Sequence, residues 1–143
     1  MKGVLFLCVA NSARSQMAEG LARHVFPPEV KVWSAGSHPT QVRPEAMAVL
    51  GEIGIDISAH RSKSVDDIPA SQVDTVITLC KEQECPVFLG KAERLHWGLP
   101  DPAAADPTAT ADQVLLQFRE VRDELRQRIM ELAATLNSYG EEP

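Results

Sequence analysis

Val4-Leu5-Phe6-Leu7-Cys8-Val9-Ala10-Asn11-Ser12-Ala13-Arg14-Ser15 decides how this chain folds. An apolar run ends in a cysteine, and small or polar residues then separate that cysteine from an arginine. A buried strand that turns through a short loop into a helix leaves several backbone N–H groups pointing into one concavity, at the positive end of the helix dipole. Val9, Ala10, Asn11, Ser12 and Ala13 are the candidate cradle, and Arg14 adds a planar fork able to grip two oxygens of a tetrahedral anion. The same positive field favours the thiolate form of Cys8, a candidate nucleophile at the floor of this oxyanion pocket. A lone cysteine closing a strand is otherwise most often a small buried residue. The arginine at this spacing and the strand-to-helix context turn the reading toward chemistry.

Outward from this stretch, Gly3 to Val9 reads as a buried strand, and Ser12 or Asn11 as the cap of a helix running to about Val25. Met17, Leu21 and Val25 share a face of that helix, and Pro27-Pro28 stops it. Lys31 to Ala35 reads as a second strand ended by Gly36. Pro44 opens a helix with Met47, Leu50 and Ile53 on one face up to Gly54. Asp74 to Leu79 reads as a third strand delivering Cys80, and Arg94 to Leu99 as a weaker fourth. From Asp112 to Leu136 the apolar residues Val114, Phe118, Val121, Leu125, Ile129, Leu132 and Leu136 recur in steps of three or four, which predicts a long amphipathic helix. The tail from Ser138 is expected to fray. Strands alternating with helices predict one α/β domain over residues 1–143, a parallel sheet with helices on both faces. Active sites of such sheets lie beyond the carboxyl ends of the strands. Cys8, Ser34, Cys80 and Asp101 each fall at or just after one.

At 143 residues the chain can bury a single sizeable core, and its 44% of hydrophobic residues is ordinary for a soluble protein. No apolar run reaches the length of a membrane span, and Met1-Lys2-Gly3 leads straight into a strand with no room for a signal peptide. A cytoplasmic location is expected. A net charge of -6 without a basic block argues against nucleic acid as a partner, so an anionic ligand needs a local positive pocket. Three cysteines in a reducing compartment suit transient thiol chemistry better than a static disulfide framework.

Asp101 lies between Pro100 and Pro102, which hold its carboxyl in a defined place. It is a candidate general acid, although an Asp-Pro turn alone gives the same sequence. Asn11 and Ser15 are donors suited to bracing the loop and hydrogen-bonding a thiolate, and Asn tolerates a left-handed backbone. Simple capping residues look the same. Cys80 and Cys85 have neither thioredoxin nor zinc-knuckle spacing. Were their segment helical they would lie about 7.5 Å apart along the axis, past the roughly 7 Å limit for a bridge, so a disulfide there requires local unwinding. Two inert cysteines or a partial metal site remain open at this point. His24, His38, His60 and His96 lack ligand spacing, and no metal is expected.

Cys-Val-Ala-Asn-Ser-Ala-Arg-Ser-Gln-Met-Ala-Glu-Gly from Cys8, Trp-Ser-Ala-Gly at Trp33, Thr-Leu-Cys at Thr78, Cys-Pro at Cys85 and His-Trp-Gly with Asp-Pro-Ala from His96 together resemble the thioredoxin-coupled arsenate reductases, which share the fold of low-molecular-weight protein tyrosine phosphatases. The resemblance implies a four-stranded parallel sheet, arsenate as substrate in arsenical detoxification, and no cofactor. It also implies that Cys8 attacks arsenic, that residues 9 to 14 bind the oxyanion, and that Asp101 protonates the leaving oxygen. Cys80 and then Cys85 would relay the oxidation outward to thioredoxin. Phosphate or sulfate would compete for the pocket, and a monomer without nucleic-acid or membrane partners is expected. In some members an acidic residue stands at the position of Lys63 and belongs to a potassium site with the equivalents of Asn11, Glu19 and Ser34. The Lys63 ammonium could supply that charge here, and a simple exposed lysine is the alternative.

Two other functions fit the same residues. A phosphatase would use Cys8, Arg14 and Asp101 alone, although the stretch after Asp101-Pro102 is Ala103-Ala104-Ala105, without the tyrosine pair that a phosphotyrosine enzyme of this fold would carry. A non-catalytic oxyanion or thiol sensor would use only the cradle and the cysteines.

Overall fold

A computed structural model, which describes residues 1–80, 90–102 and 106–140 (with the side chains of 137–140 left aside), has four strands and three α-helices among those residues. They are β1 (Gly3–Cys8), α1 (Arg14–Val25), β2 (Lys31–Gly36), α2 (Pro44–Gly51), β3 (Thr75–Cys80), β4 (Glu93–Leu99) and α3 (Ala111–Gly140). The sheet order is β2-β1-β3-β4 and every pairing is parallel. Every residue of β1 is buried, as an interior strand of a parallel sheet requires. The chain leaves β1 toward β2 on one side and later returns to β3 on the other. That reversal makes the carboxyl ends of β1 and β3, hence Cys8 and Cys80, the topological switch point at which such sheets bind ligands.

Side chains alternate across β1 and divide the interior into two layers. Val4 and Phe6 join Met17 and Leu21 of α1, Val49 and Leu50 of α2, and Phe118, Leu125 and Ile129 of α3 in the larger core. Leu5 and Leu7 face the other way, against Ala35, Ile68, Val73 and Val76. Both faces are thus covered, but unequally: the described α-helices share one core, and the 3-10 turns Val65–Asp67 and Ala70–Gln72 flank the other. Among the described residues no helix is long and apolar enough to cross a membrane.

Local sequence explains most boundaries. Helix α3 begins with a reciprocal capping box: Thr110 N–H donates to Gln113 Oε1 at 2.8 Å, and Gln113 N–H to Thr110 Oγ1 at 3.2 Å. Its apolar periodicity is met in full and the helix continues to Gly140; residues 141–143 of the tail lie outside the described residues. Helix α2 is shorter than its apolar pattern suggests. It ends at Gly51, its buried face is Ala46, Val49 and Leu50, and Met47 and Ile53 are only partly buried. A turn through Gly54, at φ +82°, reverses the chain there. Arg122 of α3 ties this end down, donating to Val49 O at 2.9 Å and to Glu52 Oε1 at 2.7 Å. The hydrogen bonds from Arg119 chiefly, with Arg122, hold the Glu52 carboxyl down to about 2.

Leu125 is wholly buried between α3 and the sheet. Replacing it with Ala leaves a cavity and should cost about 2–5 kcal/mol, measured as a lower denaturant midpoint with an unchanged slope.

Candidate active site

The loop between β1 and α1 is shaped by what holds its carbonyls. Val9 O accepts from His38 N at 2.9 Å, Ala10 O from Thr40 N at 3.1 Å, and Ser12 O from Arg43 N at 2.9 Å. Asn11 O accepts from Ser62 Oγ at 2.7 Å. In a trans peptide the N–H that follows a carbonyl points the opposite way. Four outward carbonyls therefore turn the N–H groups of Ala10, Asn11, Ser12 and Ala13 to the other side of the loop, the arrangement of an anion nest. Gly36 lets the loop pass: a Cβ there would collide with Val9 O and lie 2.9 Å from Asn11 N.

Asn11 is fully buried at φ +48°, the left-handed conformation that Asn tolerates. It does not cap the helix. Helix α1 begins at Arg14 with Ala13 at its cap and no side-chain cap bond, because the Asn11 amide is engaged elsewhere. Its Nδ2 donates to Ser15 Oγ at 2.7 Å and to Ser34 Oγ at 3.0 Å. Its Oδ1 accepts from Lys63 N at 2.8 Å and Gln16 Nε2 at 2.9 Å. Ser15 Oγ lies 2.8 Å from Cys8 Sγ. Since Ser15 already receives a hydrogen from Asn11, its own hydroxyl hydrogen is available to the sulfur, and a donor on sulfur favours the thiolate. Cys8 is a buried free cysteine, 2% exposed at the floor of the loop.

Arg14, the first residue of α1, is 4% exposed and donates through one terminal nitrogen to Leu99 O at 3.0 Å. Its other terminal nitrogen stands 3.9 Å from Asp101 Oδ2. The end of β4 is thus moored to the anion loop, and the carboxyl of Asp101 comes beside the guanidinium. Cys80 ends β3, is likewise buried, and places its Sγ 4.0 Å from Leu7 O on the neighbouring strand. Between Thr78 and Cys80 the pairing with β4 slips by a residue, so Cys80 lies opposite Leu99 rather than Gly98. Cys85 and Ala103, Ala104 and Ala105 fall outside the described residues.

Glu19, Ser34 and Lys63 form the next layer. Ser34 donates to Glu19 Oε1 at 2.6 Å, and the Lys63 ammonium reaches the same oxygen at 3.3 Å and Arg61 O at 3.0 Å. Burial works hardest against ionising Glu19, yet the Ser34 hydrogen bond and the charges of Lys63, His60 and Arg23 together hold its carboxyl below the usual range. His60, 3.6 Å from Glu19 Oε2, is lowered as well: burial first, with Lys63 and Arg23, outweighs the pull of Glu19 and holds it below its ordinary value.

Sequence reasoning passed over Gln16, His60 and Ser62. Gln16 is wholly buried and His60 half-buried, yet their partners lie 44 or 45 positions away, so local spacing carried no trace of them. One signal was available. Arg14, Ser15, Gln16 and Glu19 place four polar side chains in the buried opening turns of α1, which an ordinary amphipathic helix would turn outward. Among the described residues no group of three or more His, Cys, Asp or Glu side chains could hold a metal.

These shifts set a pH dependence. With its folded value lowered, His60 takes up a proton in the unfolded chain first, so stability falls as pH drops below 6.5. The Glu19 contribution is present above 4.5 and is lost as pH falls through its lowered folded value. Melting temperature against pH should therefore decline less steeply below 6.5 in His60→Asn than in the parent, and Glu19→Gln should flatten the lower limb. Parallel curves would refute the assignment. Gly36→Ala should abolish measurable binding of phosphate by calorimetry, because the loop cannot keep its path.

The sequence model of the low molecular weight phosphotyrosine protein phosphatases matches residues 3–141. An arsenate reductase of Halalkalibacterium halodurans is 42% identical over 136 residues, covering 94% of this chain and 96% of the relative. An arsenate reductase of Bacillus subtilis is 40% identical with the same coverage. Among solved structures, an arsenate reductase in a phosphate binding state superposes with a TM-score of 0.78 at 36% identity, over 94% of this chain and 98% of that one. A thioredoxin-dependent arsenate reductase of Corynebacterium glutamicum gives a TM-score of 0.74 at 32% identity, over 97% of this chain and 63% of its own. Sequence and fold together place the chain in the low molecular weight phosphotyrosine protein phosphatase family, with arsenate reductases among its relatives.

Proposed function

We propose that this protein reduces arsenate to arsenite through its three cysteines, with thioredoxin as the dithiol reductant in the cytoplasm. The observation that carries the reading is the placement of two buried cysteines at the ends of adjacent strands, Cys8 on β1 and Cys80 on β3, at the switch point of the sheet. Ester hydrolysis needs only the first. A second sulfur beside it is what a reductase requires. The arsenate reductases of Halalkalibacterium halodurans and Bacillus subtilis, and the thioredoxin dependence of the Corynebacterium glutamicum enzyme, support it.

The chemistry follows from the parts. The cradle of Val9 to Ala13 and Arg14 binds arsenate. The Cys8 thiolate attacks arsenic, and Asp101 protonates the oxygen that departs as water. Cys80 then attacks the Cys8 sulfur. The sulfur–arsenic bond breaks with its electron pair going to arsenic, so arsenite leaves and a disulfide joins Cys8 to Cys80. Cys85 next attacks Cys80, releasing Cys8 as thiolate, and thioredoxin, with a potential of about −270 mV, reduces the outer bridge. Phosphate and sulfate compete for the cradle because they share the tetrahedral charge pattern of arsenate.

Lys63 stands in for a bound monovalent cation, its ammonium 3.3 Å from Glu19 Oε1 and 19% exposed. A fixed charge at this oxygen removes the need for an ion. Exchanging potassium for sodium should leave kcat/KM unchanged, and selective stimulation by potassium would refute the substitution.

Cys80→Ser is the test of the whole reading. With thioredoxin and its reductase regenerating the enzyme, the variant should lose multiple-turnover production of arsenite and retain hydrolysis of para-nitrophenyl phosphate, whereas Cys8→Ser should lose both. Arsenite production by Cys80→Ser at the parent rate would overturn the proposal.

A further inference from the structure

His96-Trp97-Gly98 lies at the end of β4, and the site described above uses none of the three side chains. Trp97 packs against Phe6 and the larger core, whereas His96 is exposed on the opposite face of the sheet. Thr78 of β3 is its register partner, and partners in adjacent strands share a face. Cys80, two positions beyond Thr78, lies on that face as well.

Gly98 decides where the imidazole of His96 goes. A Cβ at Gly98 would lie 2.9 Å from His96 Nε2 and 3.6 Å from Cys80 O. The bare α-carbon therefore leaves the ring room to lie along the strand toward the carboxyl edge, with Nε2 beside the main chain of Cys80. The register slip sets Trp97 and Gly98 against Leu79 alone, a bulge of the kind that re-aims a strand end. Thr78 Oγ1 meets the other ring nitrogen, Nδ1, at 2.7 Å and stands 3.4 Å from Leu95 O. One hydroxyl hydrogen thus sets the state of Nε2. Turned to Leu95 O, it leaves Oγ1 to accept from Nδ1–H, and Nε2 is a base; turned to Nδ1, it leaves the ring hydrogen on Nε2, an acid.

We propose that His96 is the acid–base group for the Cys80 thiol, an inference that rests on the reductase reading and deepens it. Thiol exchange proceeds through the thiolate, so Cys80 must shed a proton to attack Cys8 and regain one when it is released. On attack, the Cys80 S–H proton passes to Nε2, directly or through one water at this exposed ring. The Cys80–Cys8 bond forms, and the sulfur–arsenic bond breaks with its pair going to arsenic. Once Cys85 has taken over the bridge, a thiolate of the reductant attacks Cys85. The Cys80–Cys85 bond then breaks with its pair going to Cys80, and the imidazolium returns the proton to that sulfur. Cys80 is a thiol at the start and the end of each cycle, and one residue closes its proton balance. Strand β3 carries no titratable side chain besides Cys80. On β4, Glu93 starts the strand on the opposite face, and Arg94 donates to Gly90 O. Asp101, beyond the strand end, stands against Arg14.

The test isolates the thiol step. In a Cys85→Ser background, enzyme in excess over arsenate and without reductant releases one arsenite for each bridge formed between Cys8 and Cys80. The burst is timed by rapid quench across pH for that protein and for His96→Gln and Gly98→Ala made in it. His96→Gln should slow the burst about tenfold near pH 7, where an ordinary thiol is only slightly ionised, and match its parent above about pH 9.5. Gly98→Ala, whose methyl displaces the ring, should show the same pH-dependent loss. A parent-like burst in His96→Gln near pH 7, or a loss of equal size at both ends of the pH range, would overturn the proposal. Should His96→Gln fail to fold, Gly98→Ala decides by the same two readings. Arsenite released with no Cys8–Cys80 bridge in the mass spectrum would overturn the reading of Cys80 and the proposal with it, whereas a bridge formed at the parent rate in His96→Gln overturns the proposal alone.

Discussion

The geometry of this site depends on one residue held in an unusual backbone conformation. Asn11 at φ +48° bends the chain sharply enough for four successive peptides to present the same side, and its side chain is the joint between segments distant in sequence. Through Ser15 it reaches α1 and Cys8, through Ser34 strand β2, and through Lys63 N the segment that follows α2. A buried polar network of this kind is favourable only when each member is satisfied, because an orphaned donor or acceptor costs about 1–3 kcal/mol. Here the carbonyls and amides named above all find partners. The loop is consequently fixed before any anion arrives, and binding need not order it.

That rigidity sits inside an acidic protein. With a net charge of -6, the molecule as a whole repels the tetrahedral anions it is built to hold. Attraction is confined to a few ångströms, where peptide dipoles, the start of α1 and the buried guanidinium of Arg14 coincide. Asp101 is placed against the rim of that field, its side chain 36% exposed and 3.9 Å from Arg14.

The positions of the candidate site residues were more legible in the sequence than the scaffolding around them. Cys8, Cys80 and Asp101 could be placed because each ends or follows a strand, and strand ends in a parallel α/β sheet converge on one edge; Arg14 was placed by its spacing from Cys8. The strands themselves were readable from β-branched and apolar runs, and α3 from its unbroken period. Helix α2 was overextended, since the alternation of partly buried Met47 and Ile53 outlasts the helix that Gly51 closes. Asn11 and Ser12 were indistinguishable from caps, because a left-handed turn and a helix start favour the same small polar residues. Gln16 left only its place among the polar residues that open α1, and His60 left no pattern. Their importance arises from contacts across some 44 positions, which no local period records.

Three of the four carbonyls of the anion loop, those of Val9, Ala10 and Ser12, are clasped by the main-chain N–H groups of His38, Thr40 and Arg43, while Asn11 O is held by the Ser62 hydroxyl. His38, Pro39, Thr40 and Gln41 themselves are exposed at the mouth of the site. Side chains there are free to change during evolution without loosening the grip on the loop, provided the backbone keeps its course. A scaffold organised in this way can acquire new preferences for what approaches the pocket while the machinery beneath stays constant, so divergence among its descendants should be concentrated at the mouth.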